Sequence, residues 1–325
     1  MNYSDLFKST EIGKIKAANH FLRSATAENA ATDDGMPTKY IQSIYNKLIK
    51  SGIGTIITSF TYISDYEKPS RNQLGIYDDR SISSYKIITE EVHRLGGKIV
   101  MQIVHGSSVS QANPYGAVIL GPSRVVHPQT GLTSKEMDYE DMEKVKDLFS
   151  EAALRAKRAG FDGVQIHAAH GYLLSQFMSP IFNKREDKYG GEWRNRIRFI
   201  EEVYDAIREK VGTDYPIWIK MNSSDETNNG LSVEEFLKMA EHLDKKGIDA
   251  IEVSGDLWYR HGQNEFAYYK DAAVQLADRV RASVILTGGL KRKDEIEEIR
   301  KNSNVNYFGF SRALIKDEHF IDSLK

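Results

Sequence analysis

Phe161-Asp162-Gly163-Val164-Gln165-Ile166-His167-Ala168-Ala169-His170-Gly171-Tyr172-Leu173-Leu174 is a short apolar run that ends on two histidines and a tyrosine. A segment rich in Gly, Pro, Asn and charge follows, through Ser179-Pro180, Asn183-Lys184-Arg185, Tyr189-Gly190-Gly191 and Arg194-Asn195-Arg196. Before it, Asp141 to Ala159 carries Val145, Leu148, Phe149, Ala152 and Ala156 at helical spacing. A buried strand after a helix, with titratable groups where the strand stops, is how a parallel α/β protein places its chemistry.

The same alternation runs outward in both directions. Strands are expected at Phe21 to Ser24, Thr55 to Ser59, Lys98 to Ile103, Gly163 to His167, Pro216 to Met221, Ala250 to Ser254, Val284 to Thr287 and Tyr307 to Phe310. Helical spacing lies between them, at Tyr40 to Ser51, Ser81 to Leu95, Arg196 to Val211, Val233 to Lys246, Tyr268 to Val280 and Asp294 to Lys301. Glycine closes several helices, at Gly52, Gly96, Gly160 and Gly247, where a left-handed residue lets the chain turn back. Eight strand–helix units predict a single (β/α)8 TIM barrel over residues 1–325. The rival, a doubly wound open sheet, lacks its Gly-x-Gly-x-x-Gly turn after Ser24. The longest irregular stretches, His105 to Lys135, Gly171 to Trp193 and Gly255 to Glu265, all follow strands and fall at one end of such a barrel.

Bulk composition narrows the function. The chain has 325 residues, 40% hydrophobic and 28% charged, enough for a large core. A net charge of -2 gives no basic field for nucleic acid. Cysteine is absent, which excludes disulfides, thiolate metal sites and cysteine-held iron–sulfur clusters. No apolar run spans a bilayer and no signal pattern opens the chain, so the expectation is a cytoplasmic protein with no membrane partner.

Four constellations carry chemistry. Thr287-Gly288-Gly289 and Gly309-Phe310-Ser311-Arg312 follow the last two strands, where barrels often bind phosphate; the plainer reading is tight turns. His167 and His170 could begin a metal site, but neither a cysteine nor a His-Glu-x-x-His pattern supplies further ligands, so no metal is expected. They read better as structural groups or neutral donors to a substrate oxygen. Gln102 and Lys220 sit near the ends of their strands, where side chains point into the barrel mouth. Lysine there also raises Schiff-base chemistry, as in a lyase or aldolase. Trp258-Tyr259-Arg260-His261 with Phe266, Tyr268 and Tyr269 could cover a flat ligand, or simply pack.

Together, His167-Ala168-Ala169-His170-Gly171-Tyr172-Leu173, Ser179-Pro180, Asn183-Lys184-Arg185, Asp187-Lys188-Tyr189-Gly190-Gly191 and Arg194-Asn195-Arg196 resemble the Old Yellow Enzyme family of NADH:flavin oxidoreductases. Arg23-Ser24-Ala25-Thr26, Met101-Gln102-Ile103-Val104-His105 and the two glycine segments extend the resemblance over nearly the whole chain. It implies FMN at the C-terminal mouth of the barrel. Ser24, Ala25 and Thr26 would line the flavin edge, with the Thr26 hydroxyl toward O4 and N5. Gln102 would bond the pyrimidine, Lys220 would sit by N1 and O2, and Ser254 would flank the isoalloxazine or ribityl side. Gly288, Gly289, Ser311 and Arg312 would hold the phosphate, and Phe60 would lie close to the flavin where many relatives have a smaller residue.

The implied chemistry is a hydride relay from NADH or NADPH to an activated alkene. His167 and His170 would hold a carbonyl or nitro oxygen, and Tyr172 would protonate the α-carbon. Glu28, Trp258 and Tyr259 are expected to meet this small electrophilic substrate. Thr26 stands where some branches carry cysteine, and Gln165 where glutamate is common. The branch with an iron–sulfur cluster and further domains is not expected, given the lack of cysteine and the end at Lys325. A flavin-binding protein with little turnover is the other alternative. A homo-oligomer stays open, because no seam is legible.

Overall fold

The structure, a computed structural model, describes residues 3–255, 261 and 265–325. Eight parallel strands form a closed ring: β1 (Phe21–Arg23), β2 (Thr55–Ile57), β3 (Lys98–Val104), β4 (Gly163–Ala168), β5 (Ile217–Asn222), β6 (Ala250–Ser254), β7 (Ser283–Thr287) and β8 (Tyr307–Phe310). Each pairs with the next, and β8 closes on β1 through Phe308↔Phe21 and Phe310↔Arg23. The eight expected strands are these eight, with ends displaced by a residue or two.

Helices cover the outside: α1 (Lys39–Lys50), α2 (Arg80–Arg94), α3 (Tyr139–Arg158), α4 (Arg198–Val211), α5 (Val233–Lys246), α6 (Lys270–Ala277) and α7 (Lys293–Asn302). Two short helices, Arg312–Lys316 and Phe320–Ser323, follow β8. α3 begins with a capping box in which Asp138 and Asp141 satisfy each other's backbone N–H groups. α5 ends at Gly247 with φ 103°, a left-handed cap. Among the described residues no helix is long and apolar enough to cross a membrane.

Strand alternation explains how the barrel makes a site. Ile219 and Met221 of β5 face the helices, while Trp218 and Lys220 point inward. Ile251 and Val253 of β6 likewise face outward, leaving Ala250, Glu252 and Ser254 inside. The lower interior layer is apolar, built from Leu22, Ile57, Val100, Trp218, Ala250 and Ile285. The layer above it is polar. Sequence therefore sets a dry floor beneath a reactive mouth.

Three departures from expectation bear on the barrel and its site. An antiparallel hairpin, Thr10–Ile12 with Ile15–Ala17, seals the floor; Ile12 and Ile15 join the inner core, and the Trp218 indole donates to the Gly13 carbonyl at 3.1 Å. The helix expected over Arg196 to Val211 is interrupted at Ile197. There the buried Arg196 guanidinium donates to the carbonyls of Gly191 and Met178 and to Glu235. The helix expected over Tyr268 to Val280 is shortened to α6, because Tyr268 and Tyr269 turn into the cavity described next.

Candidate active site

A cavity of about 320 Å³ lies over the C-terminal ends of the strands. Its lining includes Ser24, Ala25 and Thr26 after β1, Phe60 after β2, Gln102 on β3, His167, His170 and Tyr172 at the end of β4, Lys220 on β5 and Ser254 on β6. Gly288, Gly289, Ser311 and Arg312 complete the far side. Fourteen of the seventeen sequence-selected site residues thus converge on this one volume, although they come from eight separate stretches of chain.

β4 delivers the chemistry. His167 is its last inward-facing residue, and His170 follows in a left-handed conformation with φ 61°. That conformation is uncommon outside glycine. Asn222 at the end of β5 holds it, accepting from the His170 backbone N–H at 2.9 Å. The turn sets the two imidazoles at right angles, with ring centroids 5.1 Å apart. His167 Nδ1 accepts from the Ala169 backbone N–H at 3.3 Å, which leaves its Nε2 as the N–H donor. His170 Nε2 pairs with Ser254 Oγ at 2.8 Å. Burial pushes both imidazoles well below the usual histidine range, His167 further by the charge on His170 and both by Lys220. Both are neutral at neutral pH.

Tyr172 packs beside them, its ring 4.7 Å from His167 and 5.5 Å from Phe60. Burial, and then the charge of Glu67, pushes its phenol well above the usual range, so the proton stays on oxygen. Phe60 faces the cavity and forms its wall against Tyr172 and His167.

Beneath these groups lies a connected polar layer. Lys220 Nζ donates to Glu252 Oε1 at 3.0 Å and to Ser24 Oγ at 2.9 Å. Glu252 also accepts from Ser24 Oγ at 2.5 Å, Thr287 Oγ1 at 2.8 Å and Gln165 Nε2 at 2.8 Å. Gln165 in turn accepts from Gln102 Nε2 at 2.7 Å. The polarity of this chain is fixed by its acidic end. A carboxylate only accepts, so Gln165 offers Glu252 its NH2 and turns its carbonyl to Gln102. Gln102 then spends its own NH2 on Gln165, and its buried Oε1 has no partner among the described residues.

The sequence reading did not select Glu252. An acid within Ala250-Ile251-Glu252-Val253-Ser254, one strand away from Lys220, was the signal available. Thr287, selected only as part of its glycine segment, owes its place in this layer to the same carboxylate.

At the far side, Gly288 and Gly289 have φ 104° and 72°, and a Cβ on either would meet the rings of Tyr268 or Tyr269 within 3.0 Å. Arg312 donates to the Tyr268 hydroxyl at 2.5 Å, and Lys291 also lines the cavity. The Thr26 hydroxyl is engaged with Ser311 Oγ at 2.7 Å and with the Ser24 carbonyl at 2.9 Å, so it ties the end of β1 to the loop after β8.

Glu28 corrects an expectation. It is not in the cavity lining; its carboxylate pairs with Arg23 at 3.2 Å, and both side chains are buried. The nearby guanidinium captures it before a substrate could. Trp258 and Tyr259 lie outside the described residues. Among the described residues no group of three or more histidine, cysteine, aspartate or glutamate side chains could hold a metal ion.

The segment after the histidines is scaffold. Arg185 donates to the carbonyls of Pro122 and Met137 at 3.0 and 2.7 Å, and Asn183 to those of Phe177 and Tyr189, both at 2.8 Å. These bonds hold the loop that presents Tyr172.

Comparison with known proteins gives this geometry its context. Residues 5–325 match the model of the NADH:flavin oxidoreductase / NADH oxidase family. The NADPH dehydrogenase of Bacillus licheniformis is 31% identical over 329 residues, covering 98% of this chain and 94% of that protein. The NADH oxidase of Thermoanaerobacter brockii is 31% identical over 97% of this chain, which spans 50% of that protein. The solved 2-naphthoyl-CoA reductase in complex with 2-naphthoyl-CoA aligns with a TM-score of 0.93 at 23% identity, over 99% of this chain and 52% of its own. That last likeness speaks for the fold. The chain therefore spans about half the length of two of these proteins and nearly all of the third. With a family match across almost its whole length and a near full-length relative above 30% identity, the chain belongs to the NADH:flavin oxidoreductase (Old Yellow Enzyme) family of oxidoreductases.

Proposed function

We propose that the chain is an FMN-dependent NAD(P)H oxidoreductase that reduces activated carbon–carbon double bonds, as in enones and enals. One observation carries this reading: two neutral imidazoles and a protonated phenol meet Lys220 and an unpartnered Gln102 carbonyl in one cavity. The residues fit the cofactor. Gln102 Oε1 offers an acceptor suited to a pyrimidine N–H, and Lys220 a donor for its electron-rich side. Gly288 and Gly289 line the cavity beside Arg312 and Lys291, whose charges suit a phosphate.

FMN, when bound, supplies the hydride chemistry, taking hydride from NADH or NADPH and giving it to the β-carbon of the alkene. The protein's own residues do the rest. His167, with its N–H on Nε2, and His170 bind the carbonyl or nitro oxygen and stabilise the negative charge that develops there. As neutral donors they polarise the oxygen without giving up their protons. Tyr172 holds a proton for the α-carbon. Phe60 and Tyr172 together form an apolar wall that keeps water from the reacting carbons. Lys220 does not favour the Schiff-base alternative, since its nitrogen is committed to Glu252 and Ser24.

A visible spectrum of the protein reconstituted with FMN tests the reading. NADH or NADPH should bleach the flavin bands under anaerobic conditions, and 2-cyclohexen-1-one should restore them. A protein that takes up no FMN, or whose reduced flavin does not respond to enones, would falsify it.

A further inference from the structure

Lys220 and Glu252 are direct Cα partners on neighbouring parallel strands, so both side chains leave the sheet at the same height and on the same side. Their side chains are 3% and 0% exposed, and the ammonium lies 3.0 Å from the carboxylate. A buried charge pair this close is felt from above as a weak dipole rather than as a cation. Ser24 just after β1, Thr287 on β7 and Gln165 on β4 add donors, which pins the carboxylate in place. Although burial alone would raise the Glu252 carboxyl, Lys220, Ser24 and Gln165 together hold it below the usual range, so it stays ionised. No step of the proposed reaction needs a carboxylate there. Its evident physical effect is on the charge of Lys220.

We propose that Glu252 is a positioning residue that cancels most of the Lys220 charge and thereby lowers the electron affinity of the flavin bound above it. The proposal rests on the FMN reading given above. Reduction places negative charge on the flavin's pyrimidine side, and an uncompensated lysine would favour the reduced form. A compensated one favours it less, so the reduced cofactor is a stronger hydride donor. Glu252 also sets Lys220 in position and, through Gln165, turns the Gln102 carbonyl toward the ligand.

The test compares FMN-loaded wild type with E252Q, E252D and the double variant K220M/E252Q. Midpoint potentials are read by dye equilibration, and sulfite affinity by bleaching of the flavin band; sulfite adds to the flavin and reports positive charge beside it. E252Q should raise the equilibrium constant for two-electron reduction about tenfold or more, a shift of ~30 mV upward. Its sulfite dissociation constant should fall by a similar factor. E252D, which keeps the charge, should stay close to wild type, and so should the double variant, which has neither charge. An E252Q potential and sulfite affinity equal to wild type would overturn the proposal. So would a tenfold or larger fall in the reduction equilibrium for the double variant, because wild-type Lys220 would then be acting as a free cation. The double variant buries no charge, and it decides the matter if E252Q fails to fold. A wild type that binds no FMN overturns the cofactor reading itself; a wild type that binds FMN while either variant comparison fails overturns the role of Glu252 alone.

Discussion

At the scale of single residues, Tyr172 and Glu67 give the sharpest expectations. Tyr172→Phe keeps the ring that packs on His167 and Phe60 and removes the proton. Stopped-flow measurement should show reoxidation by an enone slowed by ~100-fold or more, with reduction by the nicotinamide largely unaffected. Glu67 is buried, accepting from Gly106 N–H at 2.6 Å and Ser110 Oγ at 3.0 Å. Burial raises its carboxyl from 4.5 to about 8. The folded state therefore holds a proton that the unfolded chain releases at lower pH. This contribution to stability is complete below the unfolded value and is lost as pH rises through about 8. Glu67→Gln should melt at a higher temperature than wild type at roughly pH 9 and near the same temperature at about pH 4, read by circular dichroism. Single residues also mark the limit of sequence reading. His167, His170 and Tyr172 were legible because they are adjacent in the chain. Glu252 was not, because its partner Lys220 is brought alongside only by strand register. Glu28 was misplaced because chain proximity to the site says nothing of where a side chain turns, and Arg23 turned it.

At the scale of elements, local chemistry and tertiary demand can be separated. The junction glycines and the capping residues are local, and they set the helix ends where the sequence placed them. Gly247→Ala would force a side chain into a left-handed backbone, with its Cβ 3.1 Å from the Tyr204 hydroxyl. It should destabilise the fold by ~1–2 kcal/mol, read from the urea midpoint. Asp138→Ala removes the capping box of α3 and should reduce stability by ~1 kcal/mol in the same assay. Tertiary demand explains the departures. α6 starts late because Tyr268 and Tyr269 serve the cavity, and the helix expected from Arg196 breaks before α4 because Arg196 is drawn under the loop after β4. The floor hairpin has strands of three residues each, too short for any periodicity to show.

At the scale of the whole molecule, the barrel holds several ionisable groups neutral. Burial lowers His105 from 6.5 to about 4, and His167 and His170 are also held low. The unfolded chain takes up protons at these positions that the folded one refuses. Stability from these groups is present above the unfolded value and is lost as pH falls from 6.5 toward 4. Acid titration of the secondary-structure signal should show unfolding begin in that window, and His105→Gln should move the transition to lower pH. The barrel itself was legible because eight repeats of one pattern reinforce each other; the charge balance inside it was not, since it depends on which inward side chains share a layer. The hairpin at the floor has a last consequence. Among the described residues, Ile12, Ile15 and Trp218 close that end and leave the mouth as the way in through the barrel. Nicotinamide and alkene would then have to take turns at one doorway. Each, in excess, would occupy the form of the enzyme meant for the other, so turnover should pass through a maximum and decline as either reactant is raised alone.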